Sequence, residues 1–213
     1  MIRSIVLLFF FMLALYLPLA NAQDRCLSLL QPVKEASEYY LGKDYPYWYN
    51  LATAKKETNC RWLTSYDGHG SVGYFQLTPK FLDYILRPLF PDYDKEYSKD
   101  HFFAFAYYLN TLIKSSPTLK LWVSYQRYNG GDWVLYECKL AKSYDYKACI
   151  EACYKCREFG GKKCRGIVCV WRTPSGCKQY RHACDINYSY SVFIYQKGQD
   201  YRVGLSDGRW IYW

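Results

Sequence analysis

Apolar residues first run together and then recur at helical spacing. Ile5 to Leu17 form an apolar run behind Arg3, followed by Pro18 and the small-residue site Ala20-Asn21-Ala22. That order reads as a secretory signal peptide over residues 1–22, too short and too interrupted for a spanning helix. No later run is long and apolar enough to cross a bilayer. From Tyr47 to Thr58, Trp48, Leu51, Ala52 and Lys55 lie on neighbouring turns, with Pro46 just before and Asn59 as the stop. Thr64 to Val72 reads as loop, and Thr78-Pro79 as cap and first turn of a helix through Phe81, Leu82 and Ile85. Asp100 is expected to cap the next helix, whose stripe is Phe102, Phe105, Leu109 and Leu112, ended by Ser115-Ser116-Pro117. Leu121, Tyr125 and Tyr128 share a face of a further helix that Gly130-Gly131 ends. Tyr188 to Tyr195 and Tyr201 to Trp213 read as strands around a Lys197-Gly198-Gln199-Asp200 turn.

The pattern predicts a mainly helical body over 23–138, and a small disulfide-rich C-terminal module over 139–213 that ends in a hairpin. Aromatic residues make up 20% of the chain, with 25 tyrosines and seven tryptophans, enough bulk for a core and polar handles to line a cleft. The net charge is +9. In an exported chain this points away from nucleic acid and toward anionic wall polymers or membrane surfaces, or to solubility alone.

Ten cysteines in such a chain read as a disulfide framework. Cys26, Cys60 and Cys138 are scattered, whereas seven crowd positions 149 to 184. Seven is odd, so a bridge should join module to body, unless Cys138 belongs with the module. Cys149, Cys153 and Cys156 at i, i+4 and i+7 form one stripe of a helix ended by Gly160-Gly161, better placed to bridge across to the loop cysteines than to each other. Cys153-x2-Cys156 has metal-ligand spacing, but no second such pair follows, and Arg157 excludes a c-type haem site. His69, His101 and His182 are too dispersed for a metal triad. No cofactor or metal is expected.

Three polar clusters fall at helix ends or loops. Glu57 lies in the last turn of its helix, where the helix dipole and desolvation both favour the protonated carboxyl that a general acid needs. Gly70 to Pro79 (GSVGYFQLTP) has glycines for a tight path, and Gln76 offers donor and acceptor to a sugar. Tyr128-Asn129-Gly130-Gly131 holds a ring and an amide at a helix C-terminus, and taken alone reads first as an ordinary cap.

In this order the clusters resemble the catalytic domain of the lytic transglycosylases, the lysozyme-like soluble-transglycosylase family. Glu57-Thr58 is similar to the family's Glu-Ser pair. Gly70 to Pro79 is similar to its G-x-x-G-Leu-Met-Gln-Leu-x-Pro segment, Ala106-Tyr107-Tyr108-Leu109 to its A-x-Tyr-Leu helix, and Tyr125 to Gly130 to its A-Tyr-Asn-Ala-Gly signature. The likeness spans about Tyr45 to Leu135 and excludes the tail. Thr58 replaces serine, Tyr74-Phe75 replaces Leu-Met, and Gly130 replaces alanine. The resemblance implies a lysozyme-like α+β fold and peptidoglycan strands as substrate. It implies cleavage of the β-1,4 bond between N-acetylmuramic acid and N-acetylglucosamine to a 1,6-anhydro end. Glu57 would be acid and base, with Gly73, Tyr74, Gln76, Tyr108, Tyr128 and Asn129 about the sugar. Such an enzyme would be periplasmic or secreted and could serve an envelope or secretion apparatus. Two alternatives stay open: a hydrolytic lysozyme pairing Glu57 with Asp67, and a non-catalytic wall-binding or assembly protein.

Overall fold

The structure, a computed structural model, describes residues 24–65, 70–203 and 209–213. The signal segment, Asp67 and His69 lie outside the described residues. A 3-10 turn, Arg25–Leu29, is capped by Asp24, whose carboxylate accepts from the Cys26 amide at 3.0 Å. Eight α-helices follow among the described residues. They are α1 (Leu30–Leu41), α2 (Trp48–Thr58), α3 (Pro79–Leu86), α4 (Lys99–Lys114), α5 (Leu121–Gly130), α6 (Trp133–Ala141), α7 (Tyr146–Tyr154) and α8 (Ala183–Asp200). The antiparallel strands β1 (Ile167–Thr173) and β2 (Gly176–His182) sit between α7 and α8. The fold is therefore mainly helical with one small hairpin. No helix among the described residues is long and apolar enough to cross a membrane.

Helix α2 is the hub. Seven consecutive residues, Trp48 to Ala54, are buried, so it has no solvent face along most of its length. Its one buried amide, Asn50, has a partner for both its nitrogen and its oxygen. Asn50 Nδ2 donates to Ser37 Oγ at 2.9 Å, and Tyr125 Oη donates to Asn50 Oδ1 at 2.6 Å. Such satisfaction is what makes a polar group tolerable at the centre of a core. The helix stops at Asn59, which takes the left-handed conformation with φ 53°. The Cys26–Cys60 disulfide then fastens the stop to the N-terminal turn.

Helix α8 packs along α2 and α5. Close approach depends on Gly198, where an added Cβ would stand 2.3 Å from the Tyr49 ring. The C-terminal residues cap α5: the amides of Leu121 and Trp122 donate to the carbonyls of Ile211 and Tyr212 at 2.8 and 2.9 Å. Those are first-turn donors that a helix cannot satisfy by itself. A single hydrophobic core thus takes side chains from both sides of position 138, including Tyr188, Tyr190, Ile194 and Tyr212.

The structure corrects the sequence reading in four places. Residues 188–195 are helix, not strand: the aromatic and β-branched run YSYSVFIY favours strand locally, but Cys184, Tyr188, Ser191, Ile194 and Gly198 bury one face at three- and four-residue steps. The hairpin lies at 167–182 instead, and among the described residues of 201–213 only Ile211 makes a bridge, parallel to Lys120. Ser98, not Asp100, caps α4, its hydroxyl accepting from the Asp100 amide. Cys156 falls past the end of α7. All ten cysteines pair, as Cys26–Cys60, Cys138–Cys149, Cys153–Cys184, Cys156–Cys164 and Cys169–Cys177. None of Cys149, Cys153 and Cys156 pairs with another of the three, and Cys138 pairs with the later cysteines, so Cys26–Cys60 stands alone and the other eight pair among themselves.

Candidate active site

The loop after α2 returns on itself as a tight turn. Val72 and Leu77 exchange both backbone hydrogen bonds, at 2.7 and 3.0 Å, and the residues between them close the turn. Gly73 (φ 76°) and Gln76 (φ 53°) are both left-handed. A Cβ on Gly73 would stand 2.2 Å from the His101 ring and 2.8 Å from Trp62, so the position is glycine for space as well as for φ. Thr58, beside Glu57, places its hydroxyl 3.0 Å from the Tyr74 carbonyl and so ties the end of α2 to this turn. Tyr128 of α5 ties in from the other side, donating to the Phe75 carbonyl at 2.5 Å.

These ties leave a cavity of about 550 Å³ lined by Glu57, Ser71, Gln76, Thr78, Phe81, Leu82, Tyr108, Tyr128, Asn129 and Gly131. Five of the seven residues singled out in the sequence therefore share one wall: Glu57, Gln76, Tyr108, Tyr128 and Asn129. The other two stand behind it. Tyr74 is buried against Trp62, His101 and Phe102, and Gly73 is the seat for the His101 ring. Both support the wall without reaching its surface.

Glu57 is the only carboxylate lining this cavity among the described residues. Burial pushes its carboxyl up from the ordinary range, opposed by a hydrogen bond from Tyr190 and by the charge of Lys56. Tyr190 Oη donates to Glu57 Oε1 at 2.5 Å, and Oε2 has no partner among the described residues. One oxygen is thus anchored and the other is open to exchange a proton. Tyr128 and Tyr190 are pushed well above the usual phenol range, first by burial and next by the charge of Glu57. Both remain neutral donors.

No family model, curated protein or solved structure matches this chain. The chemistry therefore rests on the cavity alone.

Gln76 does not present a donor. Both hydrogens of its amide nitrogen go to the carbonyls of Leu63 and Gly73, at 3.0 and 2.9 Å, which leaves Oε1 as an acceptor. Asn129 Nδ2 donates to Asn187 Oδ1 at 3.1 Å, so it too keeps an acceptor oxygen. The Tyr108 hydroxyl has no partner among the described residues and is the one neutral phenol of this wall free to donate. Acceptors and an open phenol beside a carboxyl group that burial makes hold its proton more tightly suit a substrate rich in hydroxyl and amide N–H groups. Neither the spacing of the cavity residues nor the donor set gathers a metal site among the described residues.

Two residues of α8 escaped the sequence reading. Tyr190 lies 133 positions from Glu57 and carries no local motif. Asn187 holds Asn129 and also occupies the space that an alanine at 130 would need, its Oδ1 standing 2.5 Å from where that Cβ would lie. The glycine at 130 is thus explained by the approach of α8. The signal that could have found both was the three- and four-residue recurrence of buried positions in 184–198.

Proposed function

We propose that the protein is a peptidoglycan lytic transglycosylase with a lysozyme-like body. The observation that carries the reading is one partly buried carboxyl group, held by Tyr190, in a polar cavity with no second carboxylate among the described residues. Most glycosidases use two carboxyl groups, one to protonate the leaving oxygen and one to activate water or attack the sugar. A transglycosylase needs one. The protonated Glu57 donates through Oε2 to the glycosidic oxygen as that bond breaks. The acetamido carbonyl of the muramyl residue attacks the anomeric carbon as the leaving sugar departs. The Glu57 carboxylate then takes the proton from the C6 hydroxyl, whose oxygen displaces the acetamido oxygen from the anomeric carbon, restoring the acetamido group and giving the 1,6-anhydro ring. The proton lost in the first step is regained in the second, and no water enters.

The remaining wall residues orient the sugar. The acceptor oxygens of Gln76 and Asn129 take hydrogen bonds from hydroxyl or amide N–H groups, while Phe81 and Tyr108 cover apolar ring faces. Five disulfides fit an exported, disulfide-rich protein, which would place such an enzyme on the side of the membrane where the wall lies.

Digestion of purified peptidoglycan tests the reading. Anhydro-muropeptides from the wild type and none from Glu57→Gln are the expected result. Reducing ends in their place would mean hydrolysis, with Asp67 as the residue to replace next. Wall binding without any release, unchanged in Glu57→Gln, would leave a binding protein.

A further inference from the structure

The hairpin β1–β2 stands apart from the chemistry. Its strands pack chiefly on each other and on the start of α8. Two strands alone are marginal in water, and here the Cys169–Cys177 disulfide staples them. Ile167, Trp171 and Tyr180 are 69%, 58% and 64% exposed, and Val168 and Val170 are also exposed. Successive strand residues point to opposite faces, so Ile167 and Val168 leave both faces of the ribbon apolar and bare.

Charge on the same segment is one-sided. From 159 to 184 the sequence carries Lys162, Lys163, Arg165, Arg172, Lys178 and Arg181 and no Asp or Glu. Arg165 is taken by the buried Glu137, its Nε 2.7 Å from Oε1, which fixes the base of the hairpin to α6. Lys178 and Arg181 are exposed on β2 and make no ion pair among the described residues.

We propose that this hairpin docks the protein on an anionic phospholipid surface. Exposed apolar patches mark interaction sites. A protein partner would cover one face, whereas a ribbon bare on both faces is suited to partial immersion in the headgroup layer. Trp and Tyr favour that depth, and lysine and arginine draw the ribbon to acidic headgroups. The placement has a use at the cavity. β2 runs directly into α8, and Tyr190 lies eight residues beyond His182, about 12 Å at the helical rise. A docked hairpin would hold the Glu57 cavity at a fixed height over the bilayer. This inference does not rest on the proposed chemistry.

The test is sedimentation of the full chain with vesicles of phosphatidylcholine, with and without phosphatidylglycerol. Binding is expected only with the anionic lipid, and it should weaken strongly between about 0.1 and 0.5 M salt as screening grows. Lys178→Glu with Arg181→Glu should cut partitioning about tenfold or more. Trp171→Ser should reduce it similarly. Both changes are at exposed positions, and far-UV circular dichroism checks that the variants fold. Brominated lipid should quench wild-type tryptophan fluorescence. Trp171→Phe, which keeps an apolar ring, should bind and lose that quenching. Equal binding to neutral vesicles, or binding indifferent to Trp171 and to the two charge reversals, would overturn the proposal. So would capture by a soluble anionic polymer such as polyphosphate with no vesicle binding.

Discussion

Glu57→Gln keeps an acceptor for Tyr190 and removes the exchangeable proton. On the proposed reaction, loss of wall-cutting activity should be about a thousandfold, the usual scale for a general acid and base. Stability should move the other way. Burial raises the Glu57 pKa, so the folded protein binds this proton more tightly than the unfolded chain does. The advantage is complete in acid and is lost as pH rises through the raised value. Glutamine escapes that loss. Its melting temperature should exceed the wild type's at neutral pH, by about 2–4 °C for each kcal/mol recovered, and the two should converge in acid. Tyr190→Phe probes the anchor. Its hydrogen bond favours the charged carboxylate, so its removal should push Glu57 higher still and move the alkaline limb of the pH–rate profile to higher pH. An unmoved limb would mean that Tyr190 only packs.

Elements decide which sequence signals reach the cavity. The Gly73 turn reads in the sequence as part of a sugar subsite, yet its glycine serves His101. Gly73→Ala should destabilise by about 2–5 kcal/mol, adding left-handed strain to overpacking against the ring, as chemical unfolding would measure. Substitution at a surface subsite would leave stability unchanged. The helical body was readable because its signals are local: Asn59 stops α2, Pro79 starts α3, and Gly131 ends α5. The cavity residues from those helix ends were readable for the same reason. Helix α8 was not, because a run of tyrosine, valine and isoleucine looks like strand until α2 and α5 supply the surface that buries one side of it. Tyr190 therefore went unseen, since its role exists only after α8 docks.

At the scale of the whole molecule, one core joins the helical body to the cysteine-rich segment, and acid should loosen it through His101. This ring is fully buried. Its Nδ1 donates to the Tyr93 carbonyl at 2.7 Å, and its Nε2 has no partner among the described residues. Burial holds its pKa down to about 4, against about 6.5 for a free imidazole. The unfolded chain therefore takes up the proton first as pH falls. The stability at stake, about 3 kcal/mol, is whole above pH 6.5 and is lost progressively between about 6.5 and 4. Denaturant midpoints measured across that window should fall in the wild type and fall less in His101→Gln.

If Glu57 cuts glycan without water, as proposed, heavy-oxygen water should leave no label in the product. Purified peptidoglycan is digested in water enriched in the heavy isotope, and the muropeptides are weighed. Anhydro-muramyl ends that carry no heavy oxygen, released by the wild type and not by Glu57→Gln, are the expected result. Heavy oxygen at the new muramyl end, or release that survives Glu57→Gln, would contradict it.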